Sequence, residues 1–353
     1  MIDHSVSLLI QALASHPEEN ILVIADENWA NAPWGSIHQA ASVFCNRFDI
    51  TQAALKAGVD AHFNDFDFSS LAQGSINAIF YRVSKERPVS HHVLNAASQY
   101  MAPGGNLYLS GEKPDGIKTY AKHAATMLDS KAHINKQGNS YLVSITKVST
   151  GEPLDDKQYR ELRPIPEKTA GQISEKQTIT FYSKPGIFGW NKIDQGSALL
   201  IDHLENFLQR FKKQPLSLLD LGCGYGYIAC IAARQGFKEI TATDNNAAAI
   251  TATAYNFEQL NIPGEVIADD AGNALNRHFD TILCNPPFHQ GFSIEGDLTD
   301  KFLSATQRLL SPTGKALFVV NSFIPLEKKA TGYFSSVDTL ENNGSFKLIE
   351  LSG

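Results

Sequence analysis

The chain has little of what several protein classes require. It holds four cysteines, Cys45, Cys223, Cys230 and Cys284, in 353 residues, with no C-x-x-C pair and no histidine fork beside them. That spacing excludes a zinc finger or disulfide framework and reads as small buried apolar side chains. No apolar run approaches the roughly 18 residues needed to span a bilayer, and the opening Met1-Ile-Asp-His lacks the basic region of a signal peptide, so a cytoplasmic protein is expected. Excess basic charge is also missing. Net charge is -7, residues 1–150 hold 11 basic against 13 acidic side chains and the remainder 19 against 24, so neither half is a basic module and nucleic-acid contact must be local.

What is present is an ordinary globular composition, 43% hydrophobic and 19% charged with 25 glycines and 15 prolines, in a length that suits two domains. From Leu216 onward strand-like and helix-like runs alternate: Leu216 to Leu221, a helix to Gln235 closed by Gly236, Ile240 to Thr243, a helix Ala247 to Leu260 with Ile250, Ala254 and Phe257 inward, Gly264 to Ile267, Thr281 to Cys284, and Ala316 to Val320. Alternation of this kind predicts an α/β doubly wound, mostly parallel sheet. A fainter copy of the order runs through the first half, where Ile21 to Asp26, Ala78 to Tyr81 and Met101 to Leu109 mirror Leu218 to Gly222, Thr281 to Cys284 and Leu310 to Phe318. Duplication is the simplest account. Between the copies, Lys147 to Lys176 is polar and broken by proline, which predicts domains at 1–150 and 176–353 joined by a linker at 151–175.

Asp220-Leu-Gly222-Cys-Gly224-Tyr-Gly226 follows a buried strand and opens a helix, so its glycines let backbone approach a ligand. Gly224-x-Gly226-x-x-Ala229 with Asp244 some 20 residues on also satisfies the dinucleotide fingerprint, leaving a nicotinamide-dependent oxidoreductase as a rival. Asp220 favours S-adenosylmethionine, because a carboxylate there repels a pyrophosphate and attracts the ammonium of a methionine moiety. Asp244 suits the ribose hydroxyls in either case. In Asp269-Asp270 one carboxylate is placed to accept from an adenine amino group, Asp270 for preference, and a turn or helix cap explains the pair as well.

Cys284-Asn285-Pro286-Pro287-Phe288-His289 leaves the strand at the edge where open α/β sheets bind ligands. Two prolines stiffen the backbone and remove two N–H donors. The Asn285 side-chain oxygen and a Pro286 carbonyl then make two acceptors for the two hydrogens of a planar amino group, aiming its lone pair at a sulfonium methyl. No strong base is required, so His289 is assigned to structure or substrate contact, with Pro287 beside it, and Phe288 offers a flat face for a flipped base. The segment Pro185 to Ser197 predicts a turn followed by a helix from about Ser197 to Lys212, capped by Asp194 or Ser197. Lys113, Lys118 and Lys122 are the candidates for RNA contact in the first half, a solvated helix face being the plain alternative.

These residues resemble the ribosomal RNA guanine-N2 methyltransferases, and within them the small subunit methyltransferase C family. The likeness lies in Pro185-Gly-Ile-Phe188, Asp194-x-Gly196-Ser197, the glycine loop, Asn285 to His289 and Val320 to Pro325, with a looser match at Gly111 to Lys118. Tyr225, Asp270 and Leu326 depart from the family's usual residues. The resemblance implies two tandem Rossmann-like class I methyltransferase domains, the first degenerate and serving substrate docking, the second binding S-adenosylmethionine. It also implies methylation of one guanine of 16S RNA within the small ribosomal subunit; a monomer needing no metal and no membrane is expected. A sister group acting on 23S RNA shares the Asn-Pro-Pro-Phe-His loop, and related loops serve adenine-N6 and glutamine-amide methylation, so these targets stay open.

Overall fold

A computed structural model describes residues 2–16, 20–37, 41–165, 179–287 and 292–353. The chain divides into two compact units, Met1–Glu161 and Leu162–Gly353. In the first, α1 (His4–Ala14), β1 (Ile21–Ala25), β2 (Ala41–Cys45), α2 (Phe48–Lys56), β3 (Asp60–Phe63) and β4 (Ile76–Arg82) precede α3 (Arg87–Tyr100), β5 (Met101–Glu112), α4 (Ile117–Met127), β6 (His133–Gln137) and β7 (Ser140–Thr146). The second begins with a short antiparallel pair, β8 (Arg163–Pro164) and β9 (Tyr182–Ser183), then α5 (Gln195–Asp202) and α6 (Leu204–Leu208). It continues with β10 (Ser217–Leu221), α7 (Tyr227–Ala232), β11 (Glu239–Asp244), α8 (Ala247–Gln259), β12 (Glu265–Ala268), β13 (Phe279–Cys284), α9 (Phe292–Leu309), β14 (Leu310–Asn321), α10 (Leu326–Ala330), β15 (Ser336–Asn342) and β16 (Phe346–Ser352).

Each unit folds around a seven-stranded sheet of one topology, β3-β2-β1-β4-β5-β7-β6 in the first and β12-β11-β10-β13-β14-β16-β15 in the second. Five strands run parallel, and a sixth lies antiparallel between the fifth and the outer hairpin strand. The central strands are apolar runs because both faces are covered: all of Ile21–Ala25 is buried. The likeness extends to an irregularity. Ile76 pairs with Met101 while Ala78 pairs with Asn106, and Phe279 pairs with Leu310 while Thr281 pairs with Lys315, the same bulge in the same place. Gly105 and Gly314 sit in these bulges, where a Cβ would press on the carbonyl oxygens of Asn77 and Asp280 at 3.0 and 2.9 Å. One sheet order with one shared bulge is what duplication produces. Counting from the paired residues, Ala25, Cys45 and Arg82 of the first unit stand where Gly222, Asp244 and Asn285 stand in the second.

Three expectations need adjustment. Residues 151–161 pack with the first unit: Leu154 exchanges hydrogen bonds with the Asn95 side chain at 2.7 and 2.9 Å, and fully buried Tyr159 stacks on His92 and donates to Asp65 at 2.6 Å. Residues 166–175 of the expected linker lie outside the described residues. The helix expected from Ser197 to Lys212 breaks at His203 into α5 and α6. In α8 the inward face is not Ile250 and Ala254 but Ala248, Ala252, Thr253, Asn256 and Phe257, because two polar side chains are buried there to hold the glycine loop.

Candidate active site

The strand order of the second sheet reverses at β10, and the loops after β10, β11 and β13 meet at the carboxyl edge beside that switch point, where doubly wound sheets take ligands. In the loop after β10, Gly222, Gly224 and Gly226 adopt φ of 84, 56 and 84°, conformations that side chains resist. Their reasons differ. A Cβ on Gly226 would strike the Thr253 side chain at 2.9 Å, and one on Gly222 would touch the Phe302 ring, whereas one on Gly224 would meet nothing within 4 Å. Gly226 is required by packing and Gly224 by the open space above it.

Side chains missed in the sequence reading fasten this loop from below. Thr253 Oγ1 donates to the Gly224 carbonyl at 2.8 Å, and Asn256 Nδ2 donates to the carbonyls of Tyr225 and Tyr182 at 2.7 and 2.9 Å. The signal lay in α8 carrying polar residues at helical spacing on the face toward the sheet.

Asp244, at the end of β11, accepts from the Gly224 amide at 2.9 Å through Oδ2 and from the Asn246 amide at 2.8 Å through Oδ1. Asp220 accepts from the Ala229 amide at 2.9 Å. Two amides, one in the loop and one in the first turn of α7, are thus already bonded to carboxylates. A pyrophosphate, which would need those amides and would meet the Asp244 charge, is disfavoured. Asp220 differs from the expectation of a ligand-facing carboxylate: it has no exposed surface, lying beneath the loop with Oδ1 unpartnered. Burial pushes its carboxyl up to about 7, with the Asp244 charge adding to the effect.

After β12, Asp269 is buried and accepts from the amides of Asp270 and Ala274 at 2.6 and 3.0 Å, so it closes the turn. Asp270 keeps some exposure and forms an ion pair with Lys301 of α9, a partner nothing in the sequence indicated.

Asn285 follows β13 and is half buried. Its Nδ2 donates to Asp194 Oδ2 and to Ser197 Oγ, both at 2.8 Å. A carboxylate only accepts, so the amide nitrogen faces Asp194 with both hydrogens used and the amide oxygen is turned the other way as an acceptor. Asp194 also caps α5, accepting from the Ser197 amide at 2.8 Å. Gly196 leaves room for this return, since a Cβ there would lie 3.0 Å from Asp194 Oδ2 and 3.1 Å from the Phe346 ring. Capping was anticipated from sequence; orientation of Asn285 by the same carboxylate was not. Pro286 is buried and Pro287 exposed, whereas Phe288 and His289 lie outside the described residues. The turn before α5 is tied in by Asn246 Nδ2, which donates to the Gly186 carbonyl at 2.8 Å. Among the described residues no group of three or more His, Cys, Asp or Glu could hold a metal ion, and no helix is long and apolar enough to cross a membrane.

The arrangement is thus a glycine loop braced by carboxylates and an asparagine oxygen held as a fixed acceptor, side by side on one sheet edge. Comparison with known proteins agrees with that chemistry. Residues 178–350 match the family model of the methyltransferase small domain. A ribosomal RNA small subunit methyltransferase C of Pseudomonas putida is 29% identical over 273 residues, covering 75% of this chain and 76% of the relative. Another, of Pseudomonas aeruginosa, is 28% identical over 305 residues, covering 84% and 86%. A T. thermophilus 16S rRNA N2 methyltransferase solved in complex with AdoMet and guanosine superposes with a TM-score of 0.84 at 24% identity, over 99% of this chain and 92% of that one, so the two-unit fold is shared. Along most of its length the chain is thus similar to the ribosomal RNA small subunit methyltransferase C proteins, and residues 178–350 carry the methyltransferase small domain.

Proposed function

We propose that the second unit transfers the methyl group of S-adenosylmethionine to the exocyclic N2 of a guanine in 16S ribosomal RNA, acting as a cytoplasmic monomer on RNA within the small subunit. The observation that carries this reading is the locked Asn285 amide, whose oxygen is presented as an acceptor. With the Pro286 carbonyl it supplies two acceptors to an amino group bearing two hydrogens, and holding both from one side fixes the direction of the nitrogen lone pair. Such positioning is worth several kcal/mol of the barrier. The relatives named for the small subunit enzyme, and the related structure holding guanosine, support guanine over the adenine and glutamine alternatives.

The residues fit the methyl donor. Gly224 leaves the loop open to a close backbone approach, and Asp244 brings a carboxylate to the edge for the ribose hydroxyls. Asp220 places a carboxylate beneath the loop, where an unpartnered oxygen favours a cationic group above. Asp270, which shares its charge with Lys301, would accept from the adenine amino group. When bound, S-adenosylmethionine supplies an electrophilic methyl on a sulfonium, so the chain need furnish no strong base: the methylated nitrogen is acidic enough to lose its proton to water.

The test is transfer of tritiated methyl to isolated 16S RNA, isolated 23S RNA and assembled small subunits, followed by nucleoside analysis. Label in N2-methylguanosine from 16S RNA is expected; label confined to 23S RNA or to adenosine would overturn the assignment.

A further inference from the structure

In a chain of net charge -7, residues 113–150 carry six lysines against two acidic side chains. One of those acids, Asp115, is buried and holds the Arg82 guanidinium at 2.8 Å. One of the lysines, Lys147, is also buried, its ammonium donating to the Met101 carbonyl at 2.6 Å. What reaches solvent is Lys113, Lys118, Lys122, Lys131 and Lys136 against Asp129 alone.

Three of these charges, Lys118, Lys122 and Lys136, lie on α4 and the hairpin it touches through Tyr141. α4 buries Ile117, Tyr120, Ala121 and Ala124 and contains no acidic residue, so Lys118 and Lys122 stand outward one turn apart. β6 is an edge strand exposed at all five positions, four of them polar. The Lys118 ammonium lies 5.1 Å from the centre of the Tyr141 ring and that of Lys136 5.9 Å from it, so helix and hairpin are joined through one aromatic side chain. Cation–π contact of this kind restrains both lysines and lowers the entropy lost when they meet a ligand. At the other flank of α4, burial first and then the neighbouring His91, Arg87 and Lys122 hold the His123 imidazole below its ordinary value.

We propose that this face of the first unit, formed by α4 and the β6–β7 hairpin, grips the phosphate backbone of the RNA substrate without reading its sequence. Phosphate contact needs cations on a polar, exposed surface, and that is what the face offers. The proposal rests on the reading that RNA is the substrate. It gives the first unit, which lacks the glycine loop and the asparagine, a task of its own.

The test compares the full chain with the triple variant Lys118→Gln, Lys122→Gln, Lys136→Gln and with the corresponding triple Lys→Arg variant. Binding to 16S RNA is followed from about 50 to 200 mM salt, and steady-state methyl transfer is measured beside it. In the glutamine variant the plot of log affinity against log salt should become shallower by about 2 to 3. KM for RNA should rise on the order of tenfold or more, while kcat and the KM for S-adenosylmethionine hold. The arginine variant should keep the parent slope. An unchanged slope and RNA KM in the glutamine variant, with the parent chain active, would overturn the proposal. A parent chain that binds RNA but methylates none of it would overturn the functional reading instead, and the slope comparison would still decide this one.

Discussion

The Asn285–Asp194 contact makes a prediction that separates orientation from mere presence of the amide. Replacing Asn285 by aspartate places two carboxylates where a 2.8 Å donor–acceptor contact stood. At an effective dielectric of about 20 the repulsion is roughly 6 kcal/mol, enough to force protonation or to drive the side chain out of position. Methyl transfer by Asn285→Asp at pH 8 should fall by about 100-fold or more, since each 1.4 kcal/mol of lost positioning costs about a factor of ten. Adding Asp194→Asn restores a complementary pair with the direction reversed: the amide introduced by that substitution donates, and the carboxylate at position 285 accepts and still turns an oxygen toward the substrate. In the parent, Asp194 Oδ2 accepts from both Asn285 and the Ser197 amide, so the asparagine must turn its oxygen to the Ser197 amide and its nitrogen to position 285, which keeps α5 capped, asparagine being as good a cap as aspartate. The double variant should therefore recover kcat to within about tenfold of the parent, a coupling of about 1.4 kcal/mol or more. The assay is steady-state transfer to 16S RNA with KM for S-adenosylmethionine measured alongside, which the mechanism expects to move little. Additive effects of the two substitutions, or an Asn285→Asp chain as active as the parent, would refute the orienting role.

Two further outcomes follow from the loop. Gly226→Ala has both φ of 84° and a 2.9 Å clash with Thr253 against it, so unfolding should become easier by about 2 kcal/mol or more, seen as a lower Tm; Gly224→Ala, with φ of 56° but no clash, should cost only about 1 kcal/mol, a smaller fall in Tm, and raise the KM for S-adenosylmethionine. For Asp220, the folded carboxyl is raised from 3.8 to about 7, so folding disfavours its ionised form. The resulting cost to stability is absent below pH 4, grows between pH 4 and 7 and is constant above. Asp220→Asn should gain in stability relative to the parent across that window, and a Tm difference that stays flat from pH 4 to 8 would contradict the burial argument.

The parts of this molecule legible in sequence are those set by local pattern. Apolar β1 and β10, the glycine loop and the Asn-Pro-Pro turn each carry their physical reason within a few residues, and the duplication showed in the order of such runs. What escaped depends on contacts across long sequence separation. Asp194 reaches Asn285 over 91 residues, Asn256 reaches Tyr182 over 74, and Lys301 pairs with Asp270 across 31. Helical periodicity misled in α8 because the buried face holds Thr253 and Asn256, whose polarity reads as exposure until their partners are known. Asp220 escaped for a related reason: the sign of its charge was readable, but not its depth beneath the loop.

Shared architecture lets the two units be read against each other as a natural substitution experiment. Where Asp244 accepts from the amide two residues on, Cys45 makes the same contact through Sγ at 3.4 Å. Burial pushes that thiol up to about 12, so it stays neutral and offers no carboxylate to a pair of ribose hydroxyls. Where Gly222 turns with positive φ, Ala25 continues its strand. The largest change is at Asn285, whose place is taken by Arg82, buried and bonded to Asp115 at 2.8 Å, Asp3 at 3.3 Å and the Val83 carbonyl at 2.7 Å. A guanidinium cannot accept a hydrogen bond, and its positive charge repels a sulfonium. At these three places the first sheet edge thus has no glycine turn, no carboxylate and no side-chain acceptor. The fold accommodates these residues because each finds partners within its own unit, Cys45 in the Arg47 amide and Arg82 in Asp115, Asp3 and the Val83 carbonyl.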